Sequence, residues 1–308
     1  MLGFATSRWV RAPDGTRLHA AVSAPPGRRK ARSAIVLVHG FTMDHTFWDR
    51  QVEVLREHHL VIAMDQRGHG RSDPAGRDGW HHHVLGRDVE AVVRALVPDG
   101  LSATAVGHSM GGMALMGWAA VTAHAPHERQ LDAVVLANTT AHGVPNGIVL
   151  RLPPWISAQF VYGLAPLVSL PLPLDGRLAP VVRPLLRHLA FGERASRRDV
   201  ATTERLFFGT DPRQRADAAR FLWRLDARDG IEALAGVDVT VLVGGRDRLT
   251  PAARGNEIAQ ALDAPVILLA RCGHQAPMED AGAVTEVILH AANQARRLAR
   301  RRARTASG

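Results

Sequence analysis

The stretch TAVGHSMGGMALMGWAA, residues 104–120, decides how this chain of 308 residues is to be interpreted. A short apolar run leads into GHSMG (107–111), and small and apolar residues follow. Glycines on both sides of Ser109 indicate a backbone turn too tight for larger side chains, with the serine hydroxyl at its tip. Such a turn is typical either of a close-packed strand–helix junction or of a nucleophile. The rest of the chain has to distinguish the two.

Short apolar runs alternate with amphipathic segments along most of the chain. The apolar runs predict strands at 33–38, 59–65, 103–107, 131–137, 238–245 and 264–270. Helical periodicity predicts helices at about 46–57, 82–97, 110–124 and from 276 onward. Two short strands are expected around a turn at 13–15. This order predicts an α/β fold with a mostly parallel central sheet and helices on both faces.

Residues 138–230 interrupt this alternation. Their first half is apolar and rich in proline, and their second half is rich in arginine. A segment of this length between two strands is too long for a simple loop. We therefore expect a helical cap, or lid, inserted over one edge of the sheet. The core would then consist of residues 1–137 and 231–308.

The net charge and the cysteine count indicate which partners and which kind of fold are not expected. The net charge is +9, but six arginines in the last thirteen residues leave only +3 for the remainder. No nucleic-acid-binding motif accompanies them, so no nucleic acid partner is expected. The tail is expected to be a solvated helix end, with weak contact to an anionic membrane surface as the alternative. Cys272 is the only cysteine, which excludes an intrachain disulfide. The N-terminal residues lack the apolar core of a signal peptide, and we expect a cytoplasmic protein.

Polar residues follow four of the predicted strands, where sites form in open parallel sheets. These residues are His39, Ser109, Asp247 and His274. A serine needs a base to take its proton, and the base needs an acid to fix its tautomer. The order Ser, Asp, His along the chain fits such an arrangement.

Five motifs carry a family resemblance: HGF (39–41), DQRGHGRSD (65–73), GHSMGG (107–112), GGRDRLTP (244–251) and GHQAPMED (273–280). The sequence resembles the α/β-hydrolase superfamily, in its capped lipase/esterase-like branch, over about residues 16–295.

The resemblance implies a role for each matching residue. Ser109 would be the nucleophile, His274 the general base and acid, and Asp247 the carboxylate that orients the histidine. The backbone N–H groups of Phe41 and Met110 would form the oxyanion hole. The Met110 group also starts a helix, where free N–H groups favour negative charge. The implied activity is hydrolysis of small carboxylic esters, with neither metal nor organic cofactor.

Alternatives on the same scaffold remain open. Epoxide hydrolases and haloalkane dehalogenases use an aspartate at the elbow, so Ser109 argues against both. Carbon–carbon bond hydrolases typically have tryptophan after the catalytic histidine, where this chain has Gln275. The cofactor-free perhydrolase/haloperoxidase group shares the triad. A non-catalytic ligand receptor that keeps the pocket is the alternative from another class.

The other residues that could belong to a site are expected to bind substrate or to have a structural role. Trp155, Phe160 and Leu164 are predicted to line an apolar acyl pocket under the cap, with packing inside the cap as the equal alternative. The loop 65–73, His39 and Cys272 are expected to be structural. The run HHH (81–83) is expected to be a solvated helix start, because consecutive helical residues point in different directions. No metal site is therefore predicted.

Overall fold

A computed structural model describes residues 5–27, 29–76, 79–124, 130–144, 169–173 and 176–306, with side chains as far as residue 300. One sheet of eight strands lies at its centre, in the order β1-β2-β4-β3-β5-β6-β7-β8. The strands are β1 (Thr6–Arg11), β2 (Arg17–Ser23), β3 (Ala34–Val38), β4 (Leu60–Met64), β5 (Ala103–His108), β6 (Ala133–Ala137), β7 (Asp238–Gly244) and β8 (Val266–Leu269). The pairs β1–β2 and β2–β4 are antiparallel and the others parallel, which confirms the predicted fold class.

Helices connect and cover the strands. In chain order the described ones are α1 (Asp49–Leu55), α2 (His82–Leu96), α3 (Met110–Thr122), α4 (Ala179–Ala190), α5 (Arg197–Gly209), α6 (Pro212–Arg224), α7 (Arg228–Ala233), α8 (Ala252–Leu262), α9 (Ala276–Glu279) and α10 (Ala281–Ala306). Each predicted strand and helix outside the insertion is present, although the helix predicted from 276 onward is divided into α9 and α10.

The central strands are apolar throughout because helices cover both faces of the sheet. All residues of β3 and β6 are buried. Alternate side chains of β3 enter two different cores: Val36 packs with α2 and α3, whereas Ile35 packs with α1 and α10. In a strand buried on both faces, no side chain points to solvent, which explains the near-continuous apolar runs.

Helices α4, α5 and α6 lie in the stretch 138–230, between β6 and β7. Asp211 caps α6 by accepting hydrogen bonds from the N–H groups of Arg213 and Gln214, as its position before Pro212 predicts. The division into core and cap stays a prediction. Trp155, Phe160 and Leu164 lie outside the described residues. No helix in the described ranges has both the length and the apolar character required to cross a membrane.

Candidate active site

The turn that carries Ser109 joins β5 to α3 and holds an unusual backbone conformation. Ser109 has φ 53° and ψ −118°, a region that non-glycine residues rarely occupy. A Cβ on Gly111 would collide with the carbonyls of Val38 and His39. A Cβ on Gly107 would likewise collide with the Gly111 carbonyl. The flanking glycines are thus required by close backbone contact, and they permit the tight turn that presents Ser109.

The expected oxyanion donors belong to two segments next to this serine. A Cβ placed on Gly40 would come within 3.1 Å of the Ser109 Cβ, so the loop that carries Phe41 runs beside the serine. Met110 is the first residue of α3, where backbone N–H groups have no helical partner. Neither the Phe41 nor the Met110 N–H donates a hydrogen bond within the described ranges. Both groups remain available to a ligand.

His39 holds the shape of this loop. Its Nδ1 donates to the Gly40 carbonyl oxygen at 2.8 Å, and its Nε2 accepts from the Gln66 backbone N–H at 3.0 Å. Burial lowers the pKa of His39, so the ring is neutral, as these two bonds require. The Gln66 side chain in turn donates to the His39 carbonyl at 2.6 Å. Both ring nitrogens are therefore occupied by backbone groups, in keeping with the expected structural role.

Asp247 and His274, which are 27 residues apart in sequence, are brought together after β7 and β8. His274 Nδ1 lies 2.9 Å from Asp247 Oδ2. Asp247 Oδ1 accepts from the backbone N–H groups of Leu249 and Thr250, each at 2.9 Å. Burial alone would raise the pKa of Asp247, but His274 and these hydrogen bonds lower it below its ordinary value. The carboxylate is therefore charged and held in one orientation.

Sequence reasoning missed Asn138, which also contacts this carboxylate. Its Nδ2 donates to Asp247 Oδ2 at 2.9 Å and to the Gly273 carbonyl at 3.2 Å. The Thr250 hydroxyl donates to Asp247 Oδ2 as well, at 2.9 Å. Asn138 directly follows β6 and has a positive φ of 48°. Its signal was available, since it is a polar residue at the carboxyl end of a central strand.

Sequence reasoning also missed His108, which forms a hydrogen bond to the loop of His274. Its Nε2 donates to the His274 carbonyl oxygen at 2.7 Å, and its ring stacks on Phe47 with centroids 4.8 Å apart. Burial, and next the nearby His274, lower its pKa to about 3. This neutral, fully buried imidazole lies next to Ser109 in sequence. It therefore connects the turn of the serine with the loop of the histidine.

The third missed residue, Glu279, joins the His274 loop to the insertion. Its Oε1 accepts from the Gly273 N–H and its Oε2 from the Gly192 N–H, both at 2.8 Å. Burial raises the pKa of Glu279 above its ordinary value. Two further backbone bonds run between residues 190–193 and 271–275, at 2.9 and 3.0 Å. One carboxylate thus fixes both segments against each other.

Residues of the loop 65–73 lie in a buried polar network rather than around Ser109. Asp65 accepts from His19 Nδ1 at 2.8 Å and from the His45 N–H at 2.7 Å. Burial alone would raise the pKa of Asp65, but its bonds to the two histidines hold that pKa well below its usual range. Arg67 forms a bidentate pair with Asp88, at 2.6 Å for each bond. These contacts fit the structural role expected for the loop.

Cys272 behaves as a buried packing residue. It is 1% exposed, and burial raises the pKa of its thiol to about 12. A thiol with such a pKa supplies almost no thiolate at neutral pH and is a poor nucleophile.

The expectation that residues 81–83 point in different directions is wrong. His81 precedes α2 with extended φ and ψ of −145° and 144°, so it does not follow the helical rotation of the next two residues. One ligand atom from each of the three imidazoles lies within 4.8 Å of the others. His82 is also buried instead of solvated.

Known proteins resemble this chain in sequence. The sequence profile of the family described as the alpha/beta hydrolase family matches residues 35–287. The protein named Probable oxidoreductase EphD, from Mycobacterium tuberculosis, is 27% identical over 196 residues, which cover 63% of this chain and 32% of that protein. A non-heme chloroperoxidase from Streptomyces lividans is 39% identical over 79 residues, covering 25% of this chain and 28% of its own. The chain thus spans about a third of the length of these curated relatives.

Solved structures share the fold. An esterase from Exiguobacterium antarcticum superimposes with a TM-score of 0.73 at 19% sequence identity, covering 94% of this chain and all of its own. At this identity the likeness extends to the arrangement of strands and helices alone.

Proposed function

Because this chain belongs to the α/β hydrolase family, we propose that it hydrolyses carboxylic esters through an acyl-enzyme formed on Ser109. The observation that carries the proposal is the strained turn of Ser109, next to two unpaired backbone N–H groups. A serine held at φ 53° costs stability, and such strain concentrates at functional sites. A structural turn would gain nothing from leaving two donors without partners.

In the proposed reaction, Ser109 Oγ attacks the ester carbonyl while its proton passes to His274 Nε2. The Phe41 and Met110 N–H groups stabilise the oxyanion of the tetrahedral intermediate. His274 then gives the proton to the leaving alcohol. Water, deprotonated by the same nitrogen, attacks the acyl-enzyme, and the acid leaves with Ser109 restored.

The bonds around Asp247 support this direction of proton transfer. The carboxylate has no proton of its own, so His274 Nδ1 must donate to it across the 2.9 Å contact. The lone pair of the neutral imidazole is then on Nε2, which is the nitrogen that has to accept from Ser109. The charged Asp247 also stabilises the imidazolium formed during the reaction.

A second candidate is perhydrolysis on the same residues, favoured by the similarity to the chloroperoxidase. Hydrogen peroxide would replace water in the attack on the acyl-enzyme, and a peracid would leave instead of an acid. Epoxide opening is disfavoured, because Ser109 occupies the position where epoxide hydrolases carry an aspartate. Peracid formation from acetate and peroxide, measured beside ester hydrolysis, distinguishes the two candidates.

The test is a series of p-nitrophenyl esters from acetate to decanoate, with Ser109→Ala as the control. We propose that Trp155, Phe160 and Leu164 contribute to an apolar acyl pocket. Each methylene buried there contributes about 0.8 kcal/mol, so kcat/KM should rise about fourfold per carbon until the pocket is full. A flat or falling series contradicts the apolar pocket. If no ester in the series is hydrolysed in a Ser109-dependent way, the proposed esterase activity is contradicted.

A further inference from the structure

Three imidazoles and one carboxylate converge at the start of α2, on elements that the proposed reaction does not use. His82 Nε2 lies 2.9 Å from Asp229 Oδ1, and His83 Nε2 lies 2.6 Å from Asp229 Oδ2. The rings of His81, His82 and His83 contact one another, with centroids 4.2 to 4.9 Å apart. Asp229 comes from α7, 146 residues further along the chain than His83.

Close packing holds the backbone of both segments that carry the ligands. A Cβ on Gly117 of α3 would collide with the His82 carbonyl, so α3 presses directly against the start of α2. A Cβ on Gly230, the residue after Asp229, would collide with the Met116 carbonyl of the same helix. Both ligand-bearing segments therefore pack against α3. Ligands held in this way lose little conformational freedom when they bind an ion.

We propose that His82, His83 and Asp229 form a site for a divalent transition metal such as Zn²⁺ or Ni²⁺. Two imidazoles and one carboxylate are ligands that both ions accept, with Zn–N distances of about 2.0–2.1 Å. The ion takes the place of the two N–H groups that face Asp229, and each imidazole proton moves from Nε2 to Nδ1. The two N···O contacts of 2.9 and 2.6 Å have to open by about half an ångström or slightly more to admit the ion between the imidazoles and the carboxylate.

His81 offers a fourth ligand. Its Nδ1 accepts from the His83 backbone N–H at 3.2 Å, a long hydrogen bond that caps α2. One ring nitrogen of each histidine lies within 4.8 Å of the others, so the third imidazole is within side-chain reach of the same ion. Replacing the cap by a metal bond keeps the ring at the end of the helix.

The bound metal would link the end of the insertion to the core. Asp229 belongs to α7, which follows α6 and precedes β7, whereas the histidines start α2. The ion would therefore cross-link two segments that are far apart in sequence. Because Asp229 joins the histidines only in the folded chain, the ion should bind the folded state more tightly and raise the unfolding temperature, by an amount that grows with the logarithm of the ion concentration above Kd. The proposal is independent of the proposed ester hydrolysis.

Metal binding is measured on the full chain without an affinity tag, by titration calorimetry with ZnCl₂ and by the unfolding temperature with and without Zn²⁺. We expect one Zn²⁺ per chain and a higher unfolding temperature, with no comparable effect of Mg²⁺. His83→Gln and Asp229→Asn should each weaken Zn²⁺ binding by at least about tenfold. His290→Gln, at an exposed histidine of α10, serves as the matched control and should leave the affinity unchanged.

Circular dichroism decides which variants are folded, and a variant that does not fold is replaced by His82→Gln. Tenfold weaker binding in both folded variants, with the control unchanged, supports the site. Absence of saturable Zn²⁺ binding overturns it. An affinity that either folded variant leaves unchanged, or that His290→Gln lowers equally, also overturns it.

Discussion

Replacing Asp247 by asparagine tests the proposed proton path, because the structure dictates how the new amide must point. Asp247 Oδ1 accepts from two backbone N–H groups, those of Leu249 and Thr250. These backbone donors cannot turn away, whereas the Thr250 hydroxyl at Oδ2 can turn to the Asn138 carbonyl and the Asn138 amide can flip. The carbonyl oxygen of the introduced amide therefore has to face the backbone donors. The amide NH₂ is then left at the position of Oδ2, facing His274 Nδ1. A donor at that position forces Nδ1 to accept, and the imidazole proton moves to Nε2.

In the proposed mechanism, the wrong tautomer removes the base that Ser109 needs. The comparable exchange in a serine protease lowers kcat about 10⁴-fold through this tautomer effect. At 1.36 kcal/mol per factor of ten, this corresponds to about 5.5 kcal/mol of transition-state stabilisation. We expect a loss of the same order here, with KM little changed, because Asp247 contacts no substrate in the proposed mechanism.

The assay is stopped-flow hydrolysis of p-nitrophenyl butyrate by wild type and Asp247→Asn, with circular dichroism to confirm an unchanged fold. Thr250→Val is the matched control, since it removes the hydroxyl bonded to Oδ2 but leaves the carboxylate and both backbone donors. We expect the control to lose far less activity than Asp247→Asn. Turnover by folded Asp247→Asn within tenfold of wild type would refute the reasoning, because His274 would then not depend on this carboxylate.

Two further predictions concern buried carboxylates outside the proposed triad. Glu279→Gln places an NH₂ group against one of two backbone N–H donors, so we expect the loop of His274 to shift and kcat to fall about tenfold with KM nearly constant. Steady-state kinetics measure kcat and KM, and an unchanged kcat contradicts the inference that Glu279 positions the loop of His274. Asp65→Asn should lower the free energy of unfolding at pH 6 by about 3–5 kcal/mol, since it removes a buried carboxylate paired with two histidines. The fold lowers the pKa of Asp65, so its contribution is present above about pH 4 and is lost as the pH falls. Urea unfolding from pH 3 to 7 should show the difference from wild type narrowing below pH 4, and a widening difference contradicts the assignment.

The elements that position the site could be predicted because each has a local cause. Apolar runs predicted the central strands, and the glycines around Ser109 predicted a turn that close backbone contacts indeed require. The site residues themselves follow strands, and parallel strands place such residues at one edge of the sheet. Local patterns were sufficient for these features.

The supporting residues could not be predicted in the same way. His108 and Glu279 act on backbone atoms of other segments: His108 bonds the carbonyl of His274, 166 residues away. A backbone carbonyl has no residue type, so nothing in the sequence marks it as a partner. Asn138 and His108 did carry a positional signal, since each is a polar residue at the carboxyl end of a central strand, but that signal did not identify their partners.

The interpretation of residues 81–83 failed for a related reason. It assumed helical geometry for all three residues, but His81 is extended. It also could not include Asp229, which the fold brings to His82 and His83 from α7. The first error concerns local backbone geometry, and the second concerns a tertiary contact between segments that are distant in sequence.

Covalent labelling of Ser109 tests the central claim most directly. A fluorophosphonate probe reacts with a serine only when that serine is activated as a nucleophile. We expect the wild-type chain to be labelled with one probe per chain, on the peptide that contains Ser109 by mass spectrometry. Ser109→Ala should abolish the labelling, and His274→Ala should reduce it strongly while leaving the serine in place. Undiminished labelling of Ser109→Ala, or a wild-type chain that is not labelled, would contradict the account.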